Sequence, residues 1–207
     1  MTTTKLTFGK NLISKAVLIF VLLLTISSCR NDDDPEPIPP PTVYPVENPM
    51  AAFMASLSDT TPNIVNAASY EIGLVFTPKV KGNLNAIQVK LPTTNNLLRV
   101  TLWDSATNTI ISTEIVDVNT ANTVITKNIS PLPLVKDKQY TLTMKSANYF
   151  YYGSAAGPAL TSYPLTIGNV IFNNFIYSPA ATPAAYPTTV SPGEYAGELN
   201  IVFQQTP

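Results

Sequence analysis

Apolar and polar residues alternate in a series of short runs through the second two-thirds of the chain. Ile72 to Thr77 (IGLVFT) is the first run, and Leu84 to Leu91 follows, with Gln88 and Lys90 set against Ile87, Val89 and Leu91. Leu98 to Leu102, Ile110 to Val118, Thr123 to Ile129 and Tyr140 to Met144 come next. Ile167 to Tyr177 and Glu198 to Phe203 close the series. A period of two over short segments, punctuated by turn residues, predicts β-strands of a sandwich or barrel. Asp104-Ser105-Ala106-Thr107-Asn108 has the composition of a hairpin loop between two of them. One short helix is expected from Pro49 to Leu57, where proline is tolerated in a first turn.

The amino-terminal segment has a different pattern. Lys5, Lys10 and Lys15 precede an uncharged, mostly apolar run from Ala16 to Ile26, followed by Ser27, Ser28 and Cys29. A basic head, a short apolar middle and small residues describe a secretory signal. A spanning helix needs roughly 20 apolar residues, and this run falls well short of that. Ile26-Ser27-Ser28-Cys29 resembles the lipobox of bacterial lipoproteins. That resemblance implies cleavage before Cys29 and lipid on its sulfur and new amino group. One acyl chain binds a bilayer marginally, whereas several anchor firmly. The membrane is thus an expected partner, reached through the lipid. Cys29 is the one cysteine of the chain, so disulfides within it and cysteine-based metal sites are excluded.

Asp32, Asp33 and Asp34 follow closely. They resemble the acidic export signal of Bacteroidetes-type lipoproteins, which implies an outer-membrane, cell-surface location. The alternative is a solvated spacer, with the protein on the periplasmic face. Seven of the fifteen residues from 35 to 49 are proline. Such a segment favours extended polyproline II and reaches on the order of 45 Å. The expected organisation is therefore a signal peptide over 1–28, a lipidated, acidic and proline-rich tether over 29–49, and one domain over 50–207.

That domain carries eight basic and eight acidic residues and so has no net charge. Balanced charge argues against nucleic acid as a partner. From Gly73 to Tyr152 the chain resembles the bacterial β-sandwich domains of unknown function found beside carbohydrate-active enzymes. The matching residues are Gly73 to Thr77, Gly82 to Ile87, Val100 to Asp104, and Leu134-Val135 with Tyr140. Lys138 stands where that pattern has glycine, and residues 153 to 192 depart from it. The resemblance implies an all-β, jelly-roll-like antiparallel sandwich, here of about eight strands. It carries no chemistry with it, because one fold hosts many functions.

The chain has no histidine, which removes the commonest general base and metal ligand. Ser-His-Asp and Cys-His sites are impossible, and neither a phosphate loop nor a calcium loop is present. No cofactor, metal or catalytic residue is expected. A carboxylate pair for glycoside hydrolysis would have to come from Asp59, Glu71, Asp104, Glu114, Asp117, Asp137, Glu194 and Glu198. Aromatics are the stronger lead. Tyr149-Phe150-Tyr151-Tyr152 puts four in a row, and in a strand Tyr149 and Tyr151 face opposite to Phe150 and Tyr152. Sugar rings stack on such faces, so Tyr149, Tyr151, Tyr152, Trp103 and Asp104 are the candidate ligand contacts. The competing reading is that large aromatics fill the core. Asp59-Thr60-Thr61 and Asp104-Ser105-Ala106 resemble O-glycosylation acceptors of exported bacterial proteins, which implies Thr60 and Ser105 as modified residues. The expected function is non-catalytic glycan binding at the cell surface. The alternatives are an envelope assembly protein and a carboxylate hydrolase.

Overall fold

A computed structural model of the protein describes residues 40–57, 61–153 and 162–207. Cys29, Asp32, Asp33, Asp34, Asp59 and Thr60 lie outside the described residues. The folded unit runs from Thr42 to Pro207. In chain order its elements are β1 (Val46–Glu47), α1 (Met50–Ala55), β2 (Asn63–Pro78), β3 (Gly82–Val89), β4 (Asn95–Asp104), β5 (Thr109–Val118) and β6 (Ile125–Leu134). β7 (Tyr140–Tyr152), β8 (Leu165–Ile167), β9 (Val170–Pro179), β10 (Thr189–Ser191), β11 (Tyr195–Ala196) and β12 (Leu199–Gln205) follow.

These strands form an antiparallel β-sandwich. A small sheet has the order β1-β12-β3-β6, and a large one the order β10-β9-β2-β7-β4-β5, with β11 added to β7 and β8 to β9. The chain passes back and forth between the sheets, as a jelly-roll-like sandwich requires, and eight strands are seven residues or longer. The core is built from alternate residues. Leu74 and Phe76 of β2, Leu142 and Met144 of β7, and Val100 and Leu102 of β4 face Leu84, Ile87, Ile201 and Phe203 of the small sheet within one cluster. α1 contributes Phe53, which is fully buried between Tyr195, 4.6 Å away, and Phe172, 5.2 Å away. Burying such a ring is worth about 1.5–3 kcal/mol, which holds a helix too short to be stable alone.

Several boundaries differ from the sequence pattern for identifiable reasons. The folded unit begins before residue 50, because Val46 and Glu47 pair with Gln204 and Phe203 at the edge of the small sheet. Pro45 precedes this pairing, as an edge allows. Glu47 also accepts bonds from the Asn169 backbone N–H at 2.8 Å and its Nδ2 at 2.5 Å. The run Ile167 to Tyr177 is a hairpin, not one strand. Gly168 (φ 57°) and Asn169 make a two-residue turn between β8 and β9, and a glycine first in that turn is the II′ arrangement. β6 continues through Pro131 and Pro133 because it pairs with β3 alone. The left-handed backbone beside Lys138 falls on Asp137 (φ 61°). β2 and β7 both extend well beyond the alternating runs that announced them, and their extensions build the pocket described next.

Candidate aromatic pocket

Near its start β2 loses register with β7. Asn66 pairs with Asn148 and Tyr70 with Ser146, so Ala67, Ala68 and Ser69 stand opposite Ala147 alone. The Ser146 hydroxyl bonds the Asn148 carbonyl at 2.7 Å and accepts from its N–H at 3.2 Å, taking the place of cross-strand pairing. Such a bulge bends the strand and sharpens its twist. Beyond it, Asn63 to Asn66 pair with the aromatic tail of β7, whose other edge receives Tyr195 and Ala196 of β11. A hollow of about 320 Å³ opens between this tip and β9.

Four tyrosines line the hollow: Tyr70, Tyr149, Tyr151 and Tyr177. Val65 lies directly across from Tyr149, and Ile72 directly across from Tyr177. Phe175 stacks on Tyr177 at 5.7 Å, and Tyr70 meets Tyr177 at 6.4 Å and 57°. Glu194 is the acid of the lining. Its Oε1 accepts from the Tyr151 hydroxyl at 2.6 Å and its Oε2 from the Ser191 hydroxyl at 2.8 Å. The Tyr163 hydroxyl donates to the Glu194 carbonyl at 3.3 Å. The carboxylate is thereby held in one orientation. Burial raises the phenol pKa of Tyr149. It raises that of Tyr151 further, and the bond to Glu194 adds to the effect. Both rings therefore stay neutral donors across the physiological range. Tyr149 is 8% exposed and packs in the core cluster, so the half-buried Tyr70, Tyr151 and Tyr177 are the rings that face the hollow most openly, beside a fixed carboxylate acceptor.

Alternation along β7 places the aromatic run as its period requires. Tyr149 and Tyr151 line the pocket, and Phe150 and Tyr152 turn to the other side. Tyr152 is therefore corrected as a ligand candidate. It is 2% exposed, stacks on Tyr195 at 5.9 Å and donates to Glu198 Oε1 at 2.5 Å. Glu198 also accepts from Lys90 Nζ at 3.2 Å, and that ammonium lies 4.8 Å from the Phe150 ring centre.

Trp103 is corrected in the same way. It is 2% exposed, and its Nε1–H donates to the Thr143 hydroxyl at 2.8 Å. That hydroxyl donates in turn to Glu71 Oε1 at 2.6 Å, while Glu71 Oε2 pairs with Arg99. Tyr186 covers the indole edge-on at 5.7 Å. Trp103 thus belongs to a buried polar network and offers no stacking face to solvent. Asp104 is occupied by Lys138 Nζ at 2.7 Å and by the Ala106 N–H at 3.0 Å, and the Lys138 bond lowers its carboxyl pKa. It closes the β4–β5 hairpin, whose Asn108 takes the left-handed conformation (φ 57°). The Ser105 hydroxyl shares a hydrogen bond with Thr141 at 2.8 Å. Neither Trp103 nor Asp104 lines the pocket.

Local reading of the chain names Glu194 only as one of eight acids and does not single out Tyr70 or Tyr177. All three reach the pocket only through the pairing of β2 with β9 and of β11 with β7, between segments far apart in sequence. The chain matches no protein-family model and no curated protein, so the chemistry of this pocket carries the functional reading.

Proposed function

We propose that this chain is a non-catalytic, lipid-anchored cell-surface protein that binds glycan in the tyrosine pocket. The observation that carries the reading is the convergence of Tyr70, Tyr149, Tyr151 and Tyr177 around one hollow of about 320 Å³, a size suited to one sugar ring. Stacking on the ring faces would supply apolar contact, and Glu194 with the tyrosine hydroxyls would orient hydroxyl groups. A carboxylate hydrolase needs a second acid across the cleft. Glu194 is the single acid among the described lining residues.

The full chain, solubilised in detergent, is expected to bind a subset of polysaccharides on a glycan array. Tyr149→Ala and Tyr151→Ala should each weaken that binding at least about tenfold, and Tyr44→Ala, outside the pocket, should leave it unchanged. No signal on any polysaccharide would shift the reading to envelope assembly. One feature supports that second reading. Among the described residues β5 is an edge strand of the large sheet, and Ile110, Ile111 and Ile115 on it are 49%, 43% and 49% exposed. Such an edge can accept a partner's strand.

The membrane part of the proposal rests on the signal-like segment ending at Cys29 and on Asp32 to Asp34. Labelled palmitate should enter the native chain and be lost in Cys29→Ala. Protease added to intact cells should remove the domain, and replacing the three aspartates by alanine should protect it. An unmodified Cys29 in native material would end the lipoprotein assignment.

A further inference from the structure

In two places outside the pocket the fold sets an aromatic ring beside a carboxylate, and a lysine serves both. Lys90 Nζ lies 4.8 Å from the Phe150 ring centre and 3.2 Å from Glu198 Oε1. Lys138 Nζ lies 5.5 Å from the Tyr140 ring centre and 2.7 Å from Asp104 Oδ2. The pocket repeats the pairing with Tyr151 and Glu194, and adds the Tyr70–Tyr177 corner. Here no lysine or arginine of the described residues takes the third role. None lines the hollow, and none of the ion pairs among the described residues includes Glu194. Among the described residues the partners of its carboxylate are the Tyr151 and Ser191 hydroxyls, which are neutral and do not compensate its formal charge.

We propose that the pocket selects a ligand carrying an ammonium group, which completes this third ring–carboxylate pair. The inference rests on the pocket being a ligand site and narrows what it takes. Electron-rich tyrosine faces attract a cation within about 6 Å of a ring centre. A carboxylate fixed by two hydroxyls adds directed attraction without the cost of ordering it on binding. Acidic sugars would instead meet Glu194 charge against charge. The ammonium group belongs either to an amino sugar of a glycan or to a quaternary amine such as choline, and the two sources are separable.

The test measures binding of three probes to the full chain in detergent by calorimetry. They are glucosamine oligomers, their N-acetylated counterparts with the same backbone but no charge, and choline. Glucosamine oligomers should bind about tenfold more tightly than the acetylated ones. Glu194→Gln should weaken the glucosamine oligomers about tenfold more than the acetylated ones, which removes that difference. Tyr177→Leu, which breaks no hydrogen bond of the described residues, should also weaken the charged probe, with an unchanged melting profile as the control for folding. Equal affinity for the two oligomers, indifferent to Glu194→Gln, would overturn the ammonium inference and leave glycan binding standing. Choline binding that depends on Glu194, with no oligomer bound, would uphold the ammonium group and overturn the glycan reading. Silence from all three probes in a folded protein would overturn the ammonium inference.

Discussion

Gly73→Ala is expected to be among the most damaging single substitutions in the folded unit. Gly73 sits mid-strand in β2, paired with Thr143 on one side and Ile176 on the other. A Cβ built there would lie 1.9 Å from the Leu142 carbonyl oxygen, 2.7 Å from Thr143 Cα and 2.8 Å from the Leu142 carbonyl carbon. All three atoms are backbone, so no side chain can swing aside. Relief requires β2 and β7, the two central strands of the large sheet, to move apart. That stretches the ladder on which the pocket tip also depends. Overpacking costs about 1–3 kcal/mol, occasionally more, where side chains can adjust. At this position the upper end is the floor, and in a domain of this size about 3 kcal/mol corresponds to roughly 6–12 °C in melting temperature. Thermal unfolding followed by circular dichroism measures it. A variant that melts within a degree or two of the parent would show that the close approach of the two strands is not real.

Arg99→Met should be comparably severe, and Glu71→Met distinctly milder. The asymmetry follows from exposure. The Glu71 side chain is 1% exposed and the Arg99 side chain 20%. Without Arg99, Glu71 keeps a buried charge with the Thr143 hydroxyl as its remaining side-chain partner among the described residues, and stranding such a charge costs about 3–5 kcal/mol. Without Glu71, the guanidinium can turn toward water, and Thr143 retains the Thr101 carbonyl 3.5 Å away as an acceptor. The pair is itself imperfectly satisfied. Arg99 Nε and the neighbouring Thr101 hydroxyl are buried without a partner among the described residues. The double variant Glu71→Met/Arg99→Met should therefore recover most of the loss seen in Arg99→Met, since apolar replacement of a whole buried pair is often neutral or stabilising. Denaturant midpoints of the three variants decide it. A double variant as unstable as Arg99→Met alone would mean that the network's value lies in packing, not in charge compensation.

Much of the fold was legible in the chain itself. Alternation is a local property, set by side chains pointing to opposite faces of a strand, so the long strands, the Asp104–Asn108 loop and the short helix after Pro49 could be read directly. The same periodicity put Tyr149 and Tyr151 on one side and Phe150 and Tyr152 on the other. It could not say which side would be open. That depends on what lies across each face, and Tyr152 met Tyr195 and Glu198 while Tyr149 and Tyr151 met a hollow. Trp103 was misplaced for the same reason, since its indole N–H found Thr143 and its edge found Tyr186, both remote in sequence. The β8–β9 turn at Gly168-Asn169 carried a readable signal that the apolar run around it obscured.

By itself, then, the sequence determined an all-β chain of short alternating strands, without histidine and with one cysteine, and an aromatic tetrad split between two faces. Only the tertiary structure decided that β2 would pair with both β7 and β9, and that three small residues of β2 would bulge out opposite Ala147. It also decided that Tyr70, Tyr177 and Glu194 would join Tyr149 and Tyr151 around one cavity. The physical reason is range. Strand periodicity repeats every two residues along one segment, whereas register, bulges and cavity walls arise from hydrogen bonds and packing between segments that only folding brings together.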